Sequence, residues 1–163
     1  MKRMLITVLA LMFLATGIAV GEVGLANPWT ETTAQGLMDA LGLQLGLPEG
    51  ATNVTWRMME SAQMGEVQFT WQDVDYTARI APTDEFEDIS GMYYAWEQEE
   101  ECDVGRSKGV CYRAHDGGKT VELCLWHDDL TGLMYSVSVV DDDLDGFDIL
   151  AAAQILYIPM QTE

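Results

Sequence analysis

Two groups of residues have types and spacings that could do chemistry. Asp141, Asp143 and Asp145, followed by Gly146, match the first half of an EF-hand calcium loop, where alternate carboxylates turn into one cavity ahead of a glycine turn. The second half departs from that pattern. Asp148 stands where an apolar residue belongs, and Ala152 stands where a bidentate glutamate closes the shell. Three carboxylates and a carbonyl make a weak calcium candidate, and the competing reading is an acidic loop that caps a helix. The second group is Cys102, Cys111 and Cys124. Outside the cytoplasm a pair of thiols should oxidise where geometry allows. Cys102 with Cys111 is the expected disulfide, because they bracket a Gly-containing loop, 103–110, that closes a hairpin. Cys111 with Cys124 is the alternative, since their strands flank the Asp116-Gly117 turn. No Cys-x-x-Cys or His-x3-His spacing is present, so zinc is not expected.

The machinery of common enzymes is missing from the sequence. Cys124 and His127 sit three apart on an expected strand, which turns their side chains to opposite faces. There is no Gly-x-Ser-x-Gly elbow, no phosphate-cradling glycine loop and no dinucleotide fingerprint. Carboxylate pairs are too abundant for any chosen pair to mean glycoside hydrolysis. The expectation is therefore a non-enzymatic protein with no catalytic residues. Charge narrows the partners further: 27 Asp and Glu against 8 Lys and Arg give a net charge of −19. Nucleic acid and anionic membrane surfaces both need a basic face, so neither is an expected partner.

The N-terminus bears on where this chemistry would take place. Lys2 and Arg3 precede an uncharged apolar run from Met4 to Gly21, and Gly24 and Ala26 are small at −3 and −1 of a cut before Asn27. That is the pattern of a secretory signal peptide over residues 1–26, with an uncleaved membrane anchor as the alternative. The expected mature part, 27–163, is a single extracytoplasmic domain with 26 acids and 6 bases. Its charge is polarised: Arg106, Lys108, Arg113 and Lys119 fall together, and nine acids but no base follow Lys119.

Hydrophobic periodicity predicts the elements that must position the candidate residues. Ala34, Leu37, Met38 and Leu41 fall on one helix face, with Thr30 or Thr32 as cap and Gly42 as terminator. The period then changes to two, predicting strands at Leu43–Leu47, Val54–Met59, Val67–Gln72, Tyr76–Ile80, Met92–Trp96, Val110–Ala114, Lys119–Trp126 and Leu133–Val139. Residues 82–90 read as an acidic loop, and Asp116-Gly117 as a tight hairpin turn. Leu144, Phe147, Ala151, Ile155 and Ile158 predict a final helix capped by Asp143 or Asp145. Most aromatics alternate with polar residues as core residues do; Trp29 and one of Tyr93 and Tyr94 are expected at the surface. The fold class expected is α+β: an N-terminal helix, an antiparallel sheet of about six to eight strands and a C-terminal helix, both helices packed on one sheet face.

Several segments resemble a known family. Leu47-Pro48-Glu49-Gly50-Ala51 leads into a strand, and Ile89-Ser90-Gly91-Met92-Tyr93-Tyr94 precedes another. Tyr112-Arg113, Leu125-Trp126-His127-Asp128 and Gly132-Leu133-Met134-Tyr135-Ser136-Val137-Ser138 follow in order, before an acidic linker and a final helix. This arrangement resembles a domain-of-unknown-function family found in small secreted or membrane-anchored proteins of Gram-positive anaerobes, including the extracytoplasmic ends of some anti-sigma factors. The resemblance covers most of 43–158 and implies an extracytoplasmic α+β domain; it implies no activity, cofactor or site. Only three residues precede the apolar run, so the regulatory role of an anti-sigma factor is not expected to transfer. Together these readings point to a secreted, monomeric domain that binds a protein or other extracellular ligand. A small acidic inhibitor of a basic enzyme is the alternative, and a calcium-dependent module comes third.

Overall fold

Alternating apolar and polar residues fold here as a single antiparallel sheet, because each strand can bury one face only by lying beside others with the same period. The computed structural model describes residues 27–159; the expected leader at 1–26 and residues 160–163 lie outside the described residues. The strands are β1 Thr30–Thr32, β2 Thr52–Met59, β3 Met64–Trp71, β4 Val74–Pro82, β5 Gln98–Val104, β6 Ser107–Asp116, β7 Lys119–Asp128 and β8 Leu133–Asp141. Among the described residues, helices α1 Ala34–Leu41 and α2 Ile149–Leu156 complete an α+β architecture. The strand order is β1-β2-β3-β4-β8-β7-β6-β5. Two four-stranded meanders are thus joined through β4 and β8, where Tyr76 opposes Val139 and Ile80 opposes Tyr135. Among the described residues no helix is long and apolar enough to cross a membrane.

Neighbouring residues along the central strands belong to two different apolar clusters. Ile80, Cys124, Trp126, Tyr135 and Val137 share the first, together with Leu37 of α1 and Ile149, Ala152, Ala153 and Leu156 of α2. Ala81, Leu123, Leu125 and Met134, each one residue out of step, form the second. The connection 83–97 leaves β4 in the middle of the sheet and delivers the chain to β5 at its edge. On the way it contributes Ile89, Met92 and Trp96 to the second cluster.

A buried ion network ties that connection down. Arg57, Glu66 and Arg79 stand side by side on β2, β3 and β4. Glu66 is 0% exposed. Its carboxylate accepts from Arg57 Nε at 2.9 Å, from Arg57 Nη2, and from Arg79 Nε at 2.8 Å. Arg79 Nη1 also donates to the carbonyls of Ile89 (3.2 Å) and Ser90 (2.5 Å), which would otherwise be short of partners under the loop. The Trp29 ring lies 5.7 Å from the Arg57 guanidinium and 5.3 Å from that of Arg79, a cation–π cover for both. Trp29 is accordingly half-buried rather than free at the surface. Gly91 has φ +70°, and a Cβ there would fall 2.6 Å from Arg79 Nη1, so the guanidinium occupies the space a side chain would need.

The structure corrects several sequence expectations. Thr30–Thr32 is a short edge strand, and Thr33 caps α1 by accepting from the Gly36 amide at 2.9 Å; Gly42 ends it at φ 69° as expected. Leu43–Leu47 is extended but joins no strand: the Gly46 amide donates to the Leu156 carbonyl of α2 at 2.9 Å, and Leu43 and Leu45 are buried. Met92–Trp96 is also not a strand. Its two-residue period records Met92 and Trp96 packed on the second cluster while Tyr93 points out, 92% exposed. The true strand is the acidic Gln98–Val104 beyond it. The final helix starts later than expected: Asp148, not Asp143 or Asp145, is the cap, accepting from Leu150 N–H at 3.0 Å. The buried stripe is Ile149, Ala152, Ala153 and Leu156, while Ala151 and Ile155 face solvent.

Replacing Glu66 by Gln leaves two guanidiniums facing a neutral amide. We expect Glu66→Gln to lower unfolding free energy by about 3 kcal/mol, read as a fall in the urea midpoint at unchanged slope. An unchanged midpoint would show that the network carries no stability.

Candidate functional site

Three adjacent strands bring all three cysteines together. Cys111 of β6 directly opposes Cys124 of β7, while Cys102 of β5 opposes Gly109, two residues from Cys111 on the same face of β6. The Sγ atoms of Cys111 and Cys124 are 3.0 Å apart, those of Cys111 and Cys102 3.5 Å, and those of Cys102 and Cys124 3.8 Å. Gly109 makes room for this. A Cβ at that position would fall 3.2 Å from the Cys102 sulfur, 3.0 Å from Trp126 Cβ and 2.6 Å from the Leu125 carbonyl. Cys124 is fully buried, and Cys102 and Cys111 are half-buried. The segment 103–110 expected as a loop is mostly paired strand, and the turn itself is Gly105-Arg106.

Cys102 and Cys111 lie in a cleft of about 430 Å³ between β5, β6 and the start of α2. Gln98, Glu100, Arg113, Glu122 and Asp148 supply its polar wall. Glu122 is nearly buried and pairs with Arg113 Nη1 at 3.2 Å. Burial pushes its carboxyl up, an effect that Arg113 and the Ile149 amide offset only in part. At its other end α2 is fastened across the β5–β6 turn. Gln154 Nε2 donates to the Asp103 carbonyl at 2.6 Å, and its Oε1 accepts from the Gly105 amide at 3.0 Å. Tyr157 donates its hydroxyl to buried Asp128 at 2.8 Å, and Arg106 donates to the same oxygen at 2.9 Å. Desolvation alone would raise the Asp128 carboxyl; these bonds and the Leu130 amide outweigh it and hold the group below its ordinary value.

The three thiols are not equivalent. Hydrogen bonding with Cys124 lowers the Cys111 thiol, against its burial, and Cys102 adds a second bond in the same direction; Asp148 and Glu122 oppose it. Burial raises Cys102 to about 12, with contributions from Cys111 and Asp103. Cys124 is raised further, first by its bond to Cys111 and then by burial. Cys111 is therefore the one thiol of the three that is lowered, while Cys102 and Cys124 are raised.

The other predicted residues are placed differently. Asp141 Oδ1 accepts from the Asp142 amide at 2.6 Å, and Asp143 Oδ1 from the Asp145 amide at 2.9 Å, so two of the three candidate calcium ligands serve local turns. Asp145 lies 4.0 Å from Arg113 Nη2. Among the described residues, the cysteines are the group of three whose possible metal-ligating atoms all lie within 4.8 Å of one another. His127 is turned away from Cys124, its ring held by Asp129 Oδ1 at 2.7 Å and the Thr83 carbonyl at 3.2 Å. His115 pairs with Glu97 at 2.8 Å.

Fold and site together define an antiparallel α+β domain with a thiol cluster on the floor of an acidic cleft. Comparison of the chain with protein-family models, curated proteins and solved structures finds no match. Sequence spacing missed the cluster because metal motifs are recognised within one turn or loop, whereas these ligands come from three strands. The available signal was the cross-strand register: the Asp116-Gly117-Gly118 turn pairs Asp116 with Lys119, and counting back sets Cys111 against Cys124.

These differences predict an order of reactivity. With the reduced protein and a limiting alkylating agent, peptide mapping should find Cys111 modified first, Cys102 slowly and Cys124 only after unfolding. The Cys111 rate should rise with pH through a midpoint below the ordinary thiol value of 9.0, because the thiolate is the nucleophile. Equal labelling of all three would contradict the assignment.

Proposed function

We propose that this chain is exported and acts outside the cytoplasm as a non-enzymatic binding domain for a protein or other ligand that carries positive charge. The observation that supports this reading best is the outer strand β5. Gln98, Glu99, Glu100 and Glu101 are all exposed on it, and the acid-walled cleft lies directly behind. A sheet edge recruits another strand when it is long, flat and apolar. Neither edge here has that character: β1 has three residues and β5 is charged. Recognition by charge therefore suits this surface better than strand addition. The same face also fits the second reading, a small secreted inhibitor of a basic enzyme.

The export signal at 1–26 and the resemblance of 43–158 to a family of extracytoplasmic domains support the location. Membership of that family, a monomeric state and freedom from the membrane after cleavage belong to the same proposal. So does the packing of both helices on one sheet face, which the shared core of Leu37 and Leu156 favours.

Two measurements test this reading. Intact mass of the exported protein should correspond to a chain beginning at Asn27; retention of residues 1–26 would indicate an anchor instead. In a pull-down from extracellular protein, the specific partner should be held at low salt and released as ionic strength rises, since exposed charge contacts are screened within about 10 Å at 0.1 M. Replacing Glu99, Glu100 and Glu101 by Gln should weaken capture at least about tenfold. A partner retained equally by this variant in high salt would refute charge recognition at β5.

A further inference from the structure

We propose that Cys102, Cys111 and Cys124 form a three-thiolate site for a thiophilic divalent d10 cation of the zinc type. The argument begins with the triangle of sulfurs. Separations of 3.0, 3.5 and 3.8 Å place their common centre about 2.0 Å from each sulfur. Zinc–thiolate bonds are about 2.3 Å long, so an ion bonded to all three would sit about 1.1 Å out of the sulfur plane with no rearrangement of the strands. Four thiolates around a tetrahedral zinc lie roughly 3.8 Å apart, close to two of the three separations found here. The third, between Cys111 and Cys124, is the short one, and a small rotamer adjustment of half-buried Cys111 would lengthen it.

The surroundings suit a cation. Glu100, Glu122 and Asp148 line the cleft beside the cluster, and Arg113, the base on that wall, is already paired with Glu122. Thiolate ligands select soft or borderline metals over calcium and magnesium, while the surrounding carboxylates favour a divalent ion over a monovalent one. The side of the sulfur plane facing the cleft leaves the remaining coordination position open to solvent or to a ligand carried in by the cation. Binding is a proton exchange: as each metal–sulfur bond forms, one thiol proton leaves to solvent, so occupancy must strengthen with rising pH.

This inference is independent of the basic partner proposed above, because its readout is the sulfur–metal bond. The full chain, reduced and freed of metal with a chelator, is titrated with cadmium as a spectroscopic probe and then with zinc in competition. We expect one cadmium per chain, with a thiolate-to-cadmium charge-transfer band of three-sulfur intensity. Zinc should displace the band, release protons and raise the melting temperature. Cys102→Ser and Cys111→Ser should each weaken binding at least about 100-fold, the loss expected when a ligand itself is removed rather than its support. Circular dichroism checks that each variant is folded. Should either variant fail to fold, the wild-type band intensity and proton release still decide the matter. Absence of the band in the reduced wild type would overturn the proposal, as would a band and affinity unchanged by both substitutions. So would a native protein whose Cys111 and Cys124 are joined in a disulfide and which takes up no metal after reduction.

Discussion

The pairing of β4 with β8 is the contact on which the rest of the molecule depends. Each meander is local, its strands following one another through short turns except where α1 lies between β1 and β2, but neither alone buries both faces of its central strands. The seven-residue ladder from Tyr76–Val139 to Pro82–Leu133 joins them across some sixty residues of chain. Such a contact carries the loop-closure entropy of everything between its strands, so it must be rewarded by side chains on both faces. Ile80, Ala78, Tyr135 and Val137 supply that on one face and Ala81 and Met134 on the other. Once β8 occupies the centre, β7, β6 and β5 can only extend outward from it, which fixes where the cysteines meet.

The same topology creates a cost. A chain that ends β4 at the middle of the sheet and starts β5 at its edge has to cross three strands, and here the crossing lies over apolar surface. Where that crossing is buried, at Ile89 and Ser90, its carbonyls face a medium without water. Arg79 answers this by holding two carbonyls of the crossing while its own charge is balanced by Glu66. Glu66 in turn needs Arg57, and both guanidiniums lie under Trp29. The ion network is therefore best understood as the polar lining of a loop. As a simple ion pair it would contribute little, because desolvating the charges offsets most of their attraction.

How much of this the sequence disclosed follows a physical line. The strands from Val54 to Ile80 and from Val110 to Val139 were legible because period-two burial is written into each segment itself. Met92–Trp96 misled for the same reason: alternation reports one buried and one exposed face, and a loop lying on a sheet produces it as well as a strand does. Glu99 to Glu101 conceal a strand in the opposite sense, since a charged run shows no alternation of period two while an outermost strand needs such charges to remain unpaired. The cap of the first helix is Thr33 rather than Thr30 or Thr32 because three threonines precede the helix and any of them can cap. For the site, the residue types were visible but their meeting was not. Cys102 lies across from Gly109 and diagonal to Cys111, a relation that exists only once three strands are in register.

Two of the three thiols, Cys102 and Cys124, are held towards the neutral form until something positive arrives. Asp103 acts against ionisation of Cys102, and Asp148 and Glu122 against that of Cys111. Burial and the bonds among the thiols raise Cys102 and Cys124, with Asp103 adding to the effect at Cys102, and a protonated thiol is slow in thiol–disulfide exchange because the thiolate is the attacking species. The carboxylates reverse in effect when a cation enters, since the field that opposed thiolates now adds to the attraction for the ion. A cleft that merely stored a disulfide would gain nothing from such acids. Nor would a catalytic cysteine, whose reactivity is raised by positive neighbours rather than negative ones. The wall of Glu100, Glu122 and Asp148 thus distinguishes between uses of the same three sulfurs. On the reading proposed above, it suits capture of a cation.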